Sequence, residues 1–320
     1  MASPAELISR DDVLRAREVI DGRLHRTPLF SSQALSERIG AQAYLKAELF
    51  QRTGSFKPRG MLAKLASLTA EEKARGIVTW SAGNAAQGAA YAATLEGVPC
   101  RVFMWRTANP RKVEAARSYG AEIDLDAEGP AEAHERLLAH AEETGRVFVH
   151  PFDDPVLQAG HGSLGLEIAE DIRDVATVVV PIGGCGLIAG VGAALDCRIV
   201  GVEPELAPTL TRALADGEPA SIRPTSIADG LNAPFTGPGT LSEVRERVDE
   251  IVLVTEDEIA AGMRFLFGRA KLAAEPAGAA ATAALLAGKV HVEPGSAVIA
   301  VVSGGNADPK VAAAILAEAS

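Results

Sequence analysis

The sequence predicts an α/β fold of parallel sheets covered by helices, arranged as two domains. Three observations carry that expectation. From Tyr44 onward, short apolar strands alternate with helical patterns. The connections are short, which places successive strands side by side in a sheet. Residues 178–180 form an unbroken apolar strand of the kind buried on both faces. At 320 residues the chain can hold two domains, yet its composition never shifts to a linker, so the two must be tightly joined.

In order, residues 11–20 read as an amphipathic helix with Asp11 or Asp12 as cap. Residues 23–30, with Thr27-Pro28, read as loop or extended chain. Residues 44–48 alternate as a short strand, and the run Gln51-Arg52-Thr53-Gly54-Ser55-Phe56-Lys57-Pro58-Arg59-Gly60 leads into a helical pattern of Met61, Leu62, Leu65 and Leu68. Strands are expected at 77–80, 101–104, 122–125 and 147–149, followed in turn by helices at 84–95, 110–118, 131–143 and 155–171. After strand 178–180 come a helix at 187–195, a strand at 198–202 and a helix near 207–215. A loop-rich stretch 217–248 precedes a strand at 250–254. Helices 256–270 and 277–287, a strand 297–301 and a helix 309–318 close the sequence.

Composition excludes several functions. The chain is 48% hydrophobic but only 4% aromatic, so its core must be built from Ala, Val, Leu and Ile. A net charge of −11 without a Lys/Arg-rich block speaks against nucleic acid or an anionic membrane as partner. No apolar run reaches the roughly 18 residues of a membrane span. The start, MASPAELISRDD, has neither a basic region nor an apolar core, so no secretory signal is expected. Cys100, Cys185 and Cys197 are odd in number and widely spaced, which argues against a disulfide framework and fits a reducing cytoplasm. There is no CxxC and no His pair at i, i+4; His134 and His140, in a charged helical stretch, read as solvated.

Lys57 is the residue most in need of explanation. Pro58 fits the first turn of a helix, where its missing N–H costs nothing. Lys57 then stands at a helix N-terminus, where the dipole lowers a lysine pKa, and such a lysine suits Schiff-base chemistry. Taken alone, a surface lysine opening an ordinary helix is the simpler reading. Three glycine-rich loops after strands change the balance, because ligands in such sheets sit beyond the strands' carboxyl ends. In Ser81-Ala82-Gly83-Asn84-Ala85-Ala86-Gln87-Gly88, small residues and a helix N-terminus suit a carboxylate, although a turn capped by Ser81 or Asn84 fits as well. Pro181-Ile182-Gly183-Gly184-Cys185-Gly186-Leu187 is a good anion cradle of the kind that takes phosphate, and its three glycines exceed what a turn needs. Ser303-Gly304-Gly305-Asn306 by itself reads as a turn. Gly160-His161-Gly162-Ser163-Leu164-Gly165 matches a dinucleotide fingerprint but lies inside a helix, so a Rossmann dehydrogenase is rejected; without GxSxG, so is a serine hydrolase.

A Schiff-base lysine, a phosphate cradle and a carboxylate loop together describe a pyridoxal phosphate site acting on an amino acid. The sequence resembles the fold-type II pyridoxal phosphate enzymes, specifically the threonine/serine dehydratase and serine racemase group. The resemblance rests on segments in family order: TGSFKPRG at 53–60, SAGNAAQG at 81–88, HPFDDP at 150–155 with GHGSLGLEI at 160–168, PIGGCGL at 181–187, GVEP at 201–204, ADGL at 228–231, EPAG at 275–278 and SGGN at 303–306. It implies two parallel-sheet domains of tryptophan synthase β-like architecture, a large cofactor-binding one from 1–47 and 146–320 and a small one from 48–145. Lys57 would hold the cofactor covalently, with Phe56 near the pyridine ring. Gly183, Gly184, Cys185 and Gly186 would bind the 5′-phosphate, and Asn84 the phenolic oxygen. Ser81, Asn84 and the amides of 82–85, Ala82 and Ala85 among them, would take the substrate carboxylate. Ser303 would face the pyridine nitrogen; a neutral partner there favours rapid loss of a β-hydroxyl over transamination. The implied activity turns a β-hydroxy amino acid such as L-threonine or L-serine into a 2-oxo acid and ammonia, with neutral Lys57 removing the α-proton. The resemblance also implies a homodimer, in the cytoplasm that the cysteine pattern fits. Alternatives are a racemase or β-replacement enzyme of this fold, or a protein that binds the cofactor without catalysis; HPFDDP and ADGL favour the dehydratases.

Four departures refine the expectation. Ala82 and Ala85 replace the second serine and the histidine of the family's SSGNHAQG, a spelling similar to the animal-type serine dehydratases. In the racemase that serine is the acid/base opposite the lysine, so elimination alone is expected here, with a pocket enlarged by two alanines. Cys185 stands where glycine is usual and is expected to be tolerated as a small apolar residue. At the family's cation site, Glu203 and the Ala207 carbonyl match, while Thr209 replaces an acid, which favours K⁺ over Mg²⁺ or Ca²⁺; an unoccupied loop fits equally. The sequence stops soon after SGGN, without the regulatory domain of biosynthetic threonine dehydratases, so the short catabolic type is expected.

Overall fold

The computed structural model describes residues 7–317. Strands β1 (Leu29–Ser31), β2 (Gln42–Ala47), β3 (Ile77–Trp80), β4 (Cys100–Trp105), β5 (Glu122–Ala127), β6 (Val147–Phe148), β7 (Val175–Pro181), β8 (Arg198–Pro204), β9 (Glu250–Val254) and β10 (Ala297–Val302) form two sheets. The larger runs β1-β2-β10-β7-β8-β9 and the smaller β5-β4-β3-β6. Every neighbouring pair is parallel except β1 with β2, as expected for strands joined through helices. Residues 29 and 30 of the 23–30 stretch become, with Ser31, the strand β1: three residues at a sheet edge, following Pro28, which has no N–H to give a ladder. The expected domain boundary at 146 falls just before β6, whose Val147 and Phe148 pair with Ile77 and Val78 of the small sheet.

The helices are α1 (Arg10–Ile20), α2 (Gln33–Ile39), α3 (Lys57–Ala66), α4 (Ala70–Arg75), α5 (Asn84–Glu96), α6 (Pro110–Ser118), α7 (Pro130–Thr144), α8 (Pro155–Asp171), α9 (Gly186–Ala194), α10 (Thr209–Asp216), α11 (Pro238–Arg247), α12 (Glu256–Phe265), α13 (Pro276–Leu286) and α14 (Pro309–Ala317). Ser9, not Asp11 or Asp12, caps α1: its hydroxyl accepts from Asp12 N while the Asp12 carboxylate returns to Ser9, a reciprocal capping box. The sequence did not single out α2, α4 or α11. α11 lies inside the stretch read as loop, where Leu241 and Val244 bury one face of it. The helix expected over 256–270 ends at Phe265 and continues as a π turn over Leu266–Ala270, stopped by Lys271 at φ 60°. Residue 318 of the last expected helix, and residues 1–6 of the start read for a signal, lie outside the described residues.

The cores on the two faces of the large sheet are aliphatic, and the small-sheet core is packed with the alanines of α5. The rejected fingerprint turns out to be a packing device. A Cβ on Gly160 would stand 2.6 Å from the Arg59 carbonyl, and one on Gly162 2.5 Å from that of Gly190, so these glycines let α8 lie close to α3 and α9. Among the described residues no helix is long and apolar enough to cross a membrane.

Candidate active site

The loops after β3, β7 and β10 line one cleft of about 430 Å³, together with Lys57 at the start of α3. Pro58 sits in the first turn of α3, as its sequence position suggested, and Phe56 occupies the cap position without a side-chain bond. Lys57 is half-buried; its Nζ donates to the Pro151 carbonyl at 3.2 Å and lies 4.9 Å from the centre of the Phe56 ring. Burial pulls its pKa from 10.5 down to about 8. The sequence had pointed to the helix terminus as the cause; desolvation is what acts.

Two structures hold Lys57 in place. Arg59 is fully buried and donates through Nε to Glu48 at 2.8 Å and through Nη1 to Glu167 at 2.7 Å, while Lys46 reaches Glu167 at 2.5 Å. Two cations and two carboxylates thus balance inside the protein, tying α3 to β2 and α8. The loop 303–306, which alone read as a turn, is the second support. Phe56 N donates to Ser303 O at 3.1 Å, Gly305 N to Gly54 O at 2.9 Å and Asn306 Nδ2 to Thr53 O at 2.7 Å. Ser303 itself is buried and lines the cleft.

In the cradle, no acceptor among the described residues takes the amides of Gly183, Gly184, Cys185 or Gly186. A Cβ at Gly184 would collide with the Phe152 ring, and one at Gly183 would stand 3.0 Å from the Gly230 carbonyl. The glycines therefore let neighbouring segments pack on the loop while its N–H groups stay open. Cys185 takes the left-handed conformation, φ 68°, that glycine adopts more easily. Its side chain is buried in the core, and burial pushes the thiol well above its ordinary pKa.

Beyond β3, Ser81 Oγ accepts from Gly83 N at 3.1 Å, and Gly83, rather than Ser81 or Asn84, occupies the cap position of α5. Ala82, Asn84 and Ala85 line the cleft. Asn84 Nδ2 donates to Glu275 Oε1 at 2.6 Å, and Asn84 Oδ1 accepts from Asn306 Nδ2 at 2.8 Å. Glu275 is a cleft residue the sequence reading missed. It is buried, burial raises its carboxyl from 4.5 to about 7, and its Oε2 has no partner among the described residues. The segment EPAG drew attention to its neighbourhood, but an acid before a proline also looks like any helix start. Across the cleft, Lys112 of α6 pairs with Asp229.

The expected cation residues lie apart from the cleft lining. Glu203 is fully buried and accepts from Leu210 N and Thr211 N, each at 2.8 Å, and from Thr211 Oγ1 at 2.7 Å, so it caps α10. Thr209 Oγ1 donates to the Ala233 carbonyl at 2.8 Å. Among the described residues no group of three or more His, Cys, Asp or Glu could hold a metal ion. His134 and His140 are not solvated as expected: their rings pack on Trp80 and Phe103 at 5.2 and 5.6 Å.

The profile of the family described as "Pyridoxal-phosphate dependent enzyme" matches residues 20–304. The chain is 44% identical to the L-threonine ammonia-lyase of Thermotoga maritima over 94% of its own length and 76% of that protein's. It is 41% identical to the catabolic L-threonine dehydratase TdcB of Escherichia coli strain K12, covering 94% of each. The solved structure of maize serine racemase superposes with a TM-score of 0.92 at 33% identity, covering 96% of both chains.

Proposed function

The chain belongs to the pyridoxal-phosphate dependent enzymes, and from that premise we propose that it is a dehydratase, an ammonia-lyase, that turns a β-hydroxy amino acid such as L-threonine or L-serine into a 2-oxo acid and ammonia. The observation that carries this reading is the row of unpartnered amides at 183–186 in the same cleft as a lysine whose pKa is near 8. The residues present fit the cofactor. Lys57 would hold it covalently, the 183–186 amides would take its phosphate, Asn84 its phenolic oxygen and Ser303 its ring nitrogen, with Phe56 beside the ring. Bound pyridoxal phosphate supplies the sink for the electrons left when a Cα proton departs.

The chain's own residues do the rest. Ser81 and the amides of Ala82, Asn84 and Ala85 hold the substrate carboxylate at the N-terminus of α5, Gly83 N being turned to Ser81 Oγ. Lys57, neutral in an appreciable fraction near its pKa of about 8, takes the α-proton. Ser303, a neutral hydroxyl, adds no charge at the ring nitrogen. The first domain boundary stays at residue 47 and the second moves past β6, which pairs with β3 of the smaller sheet; the proposal includes a cytoplasmic homodimer whose substrate is a free amino acid. A K⁺ ion beside Glu203, the Ala207 carbonyl and Thr209 belongs to the proposal; it predicts higher activity in K⁺ than in Na⁺ at equal ionic strength.

Likeness to a serine racemase favours a second reading, racemisation. Ala82 weighs against it, since the loop offers no hydroxyl at that position. The test is to load the protein with pyridoxal 5′-phosphate, confirm a yellow colour that reduction bleaches, and follow L-serine and L-threonine. Release of 2-oxo acid without D-serine is expected, with Lys57→Ala inactive. Accumulating D-serine would replace dehydration by racemisation, and full turnover in Lys57→Ala would remove the proposed base.

A further inference from the structure

The orientation of the Asn84 amide follows from a chain of hydrogen bonds that starts at a backbone carbonyl. The Thr53 oxygen can only accept, so the Asn306 atom 2.7 Å from it is the Nδ2 nitrogen. That nitrogen's second hydrogen points to Asn84 at 2.8 Å, so the Asn84 atom there is its carbonyl Oδ1. Asn84 Nδ2 is thereby turned to Glu275 Oε1, 2.6 Å away. One of its hydrogens goes to the carboxyl group, and one is left at a residue that lines the cleft.

Both partners are packed so that they cannot swing aside. Asn306 Oδ1 sits where a Cβ on Gly54 would stand, at 2.5 Å, and Gly54 has φ 72°. Glu275 Oε1 fills the space that a Cβ on Gly304 would need. Among the described residues Glu275 Oε2 is buried without a partner, as suits a carboxyl that carries a proton. Burial raises Glu275 to about 7, with Lys112 opposing and Asp229 reinforcing the shift.

We propose that Glu275 and Asn306 are positioning residues that lock Asn84 with an N–H toward the cleft, so that the group held by Lys57 meets a hydrogen-bond donor there and not an acceptor. This rests on the cofactor reading above. For pyridoxal phosphate it assigns the spare N–H to the phenolic oxygen, whose ionised form a donor favours.

The test is cofactor binding by the full chain, read as Kd from protein fluorescence and as the pH at which the visible band of the bound cofactor titrates. Glu275→Gln keeps an acceptor for Asn84 Nδ2, so its Kd stays within about twofold of wild type, less than one hydrogen bond. Asn306→Asp sets an acceptor against Asn84 Oδ1 and turns the amide over. Its Kd should rise about tenfold, the size of one hydrogen bond lost, and the titration midpoint should move by about one pH unit. Glu275→Leu should shift both readouts the same way. Circular dichroism establishes that each variant folds, and if Glu275→Leu does not, Asn306→Asp against Glu275→Gln decides alone. Wild-type values in Asn306→Asp, or a Glu275→Gln protein as weak as Asn306→Asp, would overturn the clamp. A wild-type chain that takes up no pyridoxal phosphate would instead overturn the cofactor reading and this inference with it.

Discussion

At the scale of single residues, the site places a lysine and a glutamate where their charged forms are disfavoured. Lys57 titrates near 8 in the folded chain against 10.5 when exposed, so between those values the unfolded chain binds the extra proton. Stability from this group therefore rises with pH through that window, and below it the buried ammonium is a burden. The cofactor-free Lys57→Met protein should be more stable than wild type at pH 7, and the gap should narrow as pH rises from 8 to 10.5. Urea midpoints of the pair across that range are the measurement; a gap that does not change with pH would show that burial does not control Lys57. Using the difference removes other groups, Cys185 among them, whose raised thiol pKa acts in the opposite direction.

At the scale of elements, α3 is held by charges and the cradle by close packing. Arg59 satisfies Glu48 and Glu167 together, all three buried. Replacing it with leucine would leave Glu48 buried without a cation, while Glu167 keeps Lys46, and breaking a buried pair in this way costs about 3–5 kcal/mol. Arg59→Lys should recover only part of the loss, because an ammonium lacks the rigid five-donor fork with which the guanidinium meets both carboxylates. Chemical denaturation of Arg59→Leu decides: a change below about 1 kcal/mol would mean that the cluster contributes no more than a surface pair. Gly184→Ala tests the cradle. Its methyl would strike the Phe152 ring, and overpacking of this kind costs about 1–3 kcal/mol. Cofactor affinity should fall in Gly184→Ala and recover in part when Phe152→Leu relieves the clash; equal affinity in all three proteins would show that the loop does not depend on this contact.

At the scale of the molecule, local patterns and long-range contacts separate what the sequence could show. β3, β9, α6 and α8 lie at the residues the sequence marks for them, whether one face is buried, as Val113 and Ala116 are in α6, or every face, as in α8 over 157–168. α11 stays hidden, since Pro238-Gly239 looks like a turn and only Leu241 and Val244 mark its buried face. Lys57 and the three loops are legible as types, small residues after strands, but not their mutual support: Asn306 meets Thr53 and Asn84 across 253 and 222 residues. Glu275 is invisible for the same reason, since its burial comes from loop 303–306. Tryptophan offers a reporter of the assembled cleft. Both tryptophans of the chain, Trp80 and Trp105, line it. Trp80 belongs to the small sheet and stacks on Phe235 of the β8–β9 connection at 5.9 Å and 8° between planes, so the pair bridges the two sheets' territories. Binding of pyridoxal phosphate should quench most of the intrinsic emission and saturate at a single equivalent per chain, because no distant tryptophan dilutes the signal. Trp80→Phe should keep a smaller quench from Trp105. Cofactor uptake, followed by its own absorbance, with emission unchanged would mean that the group binds away from this cleft.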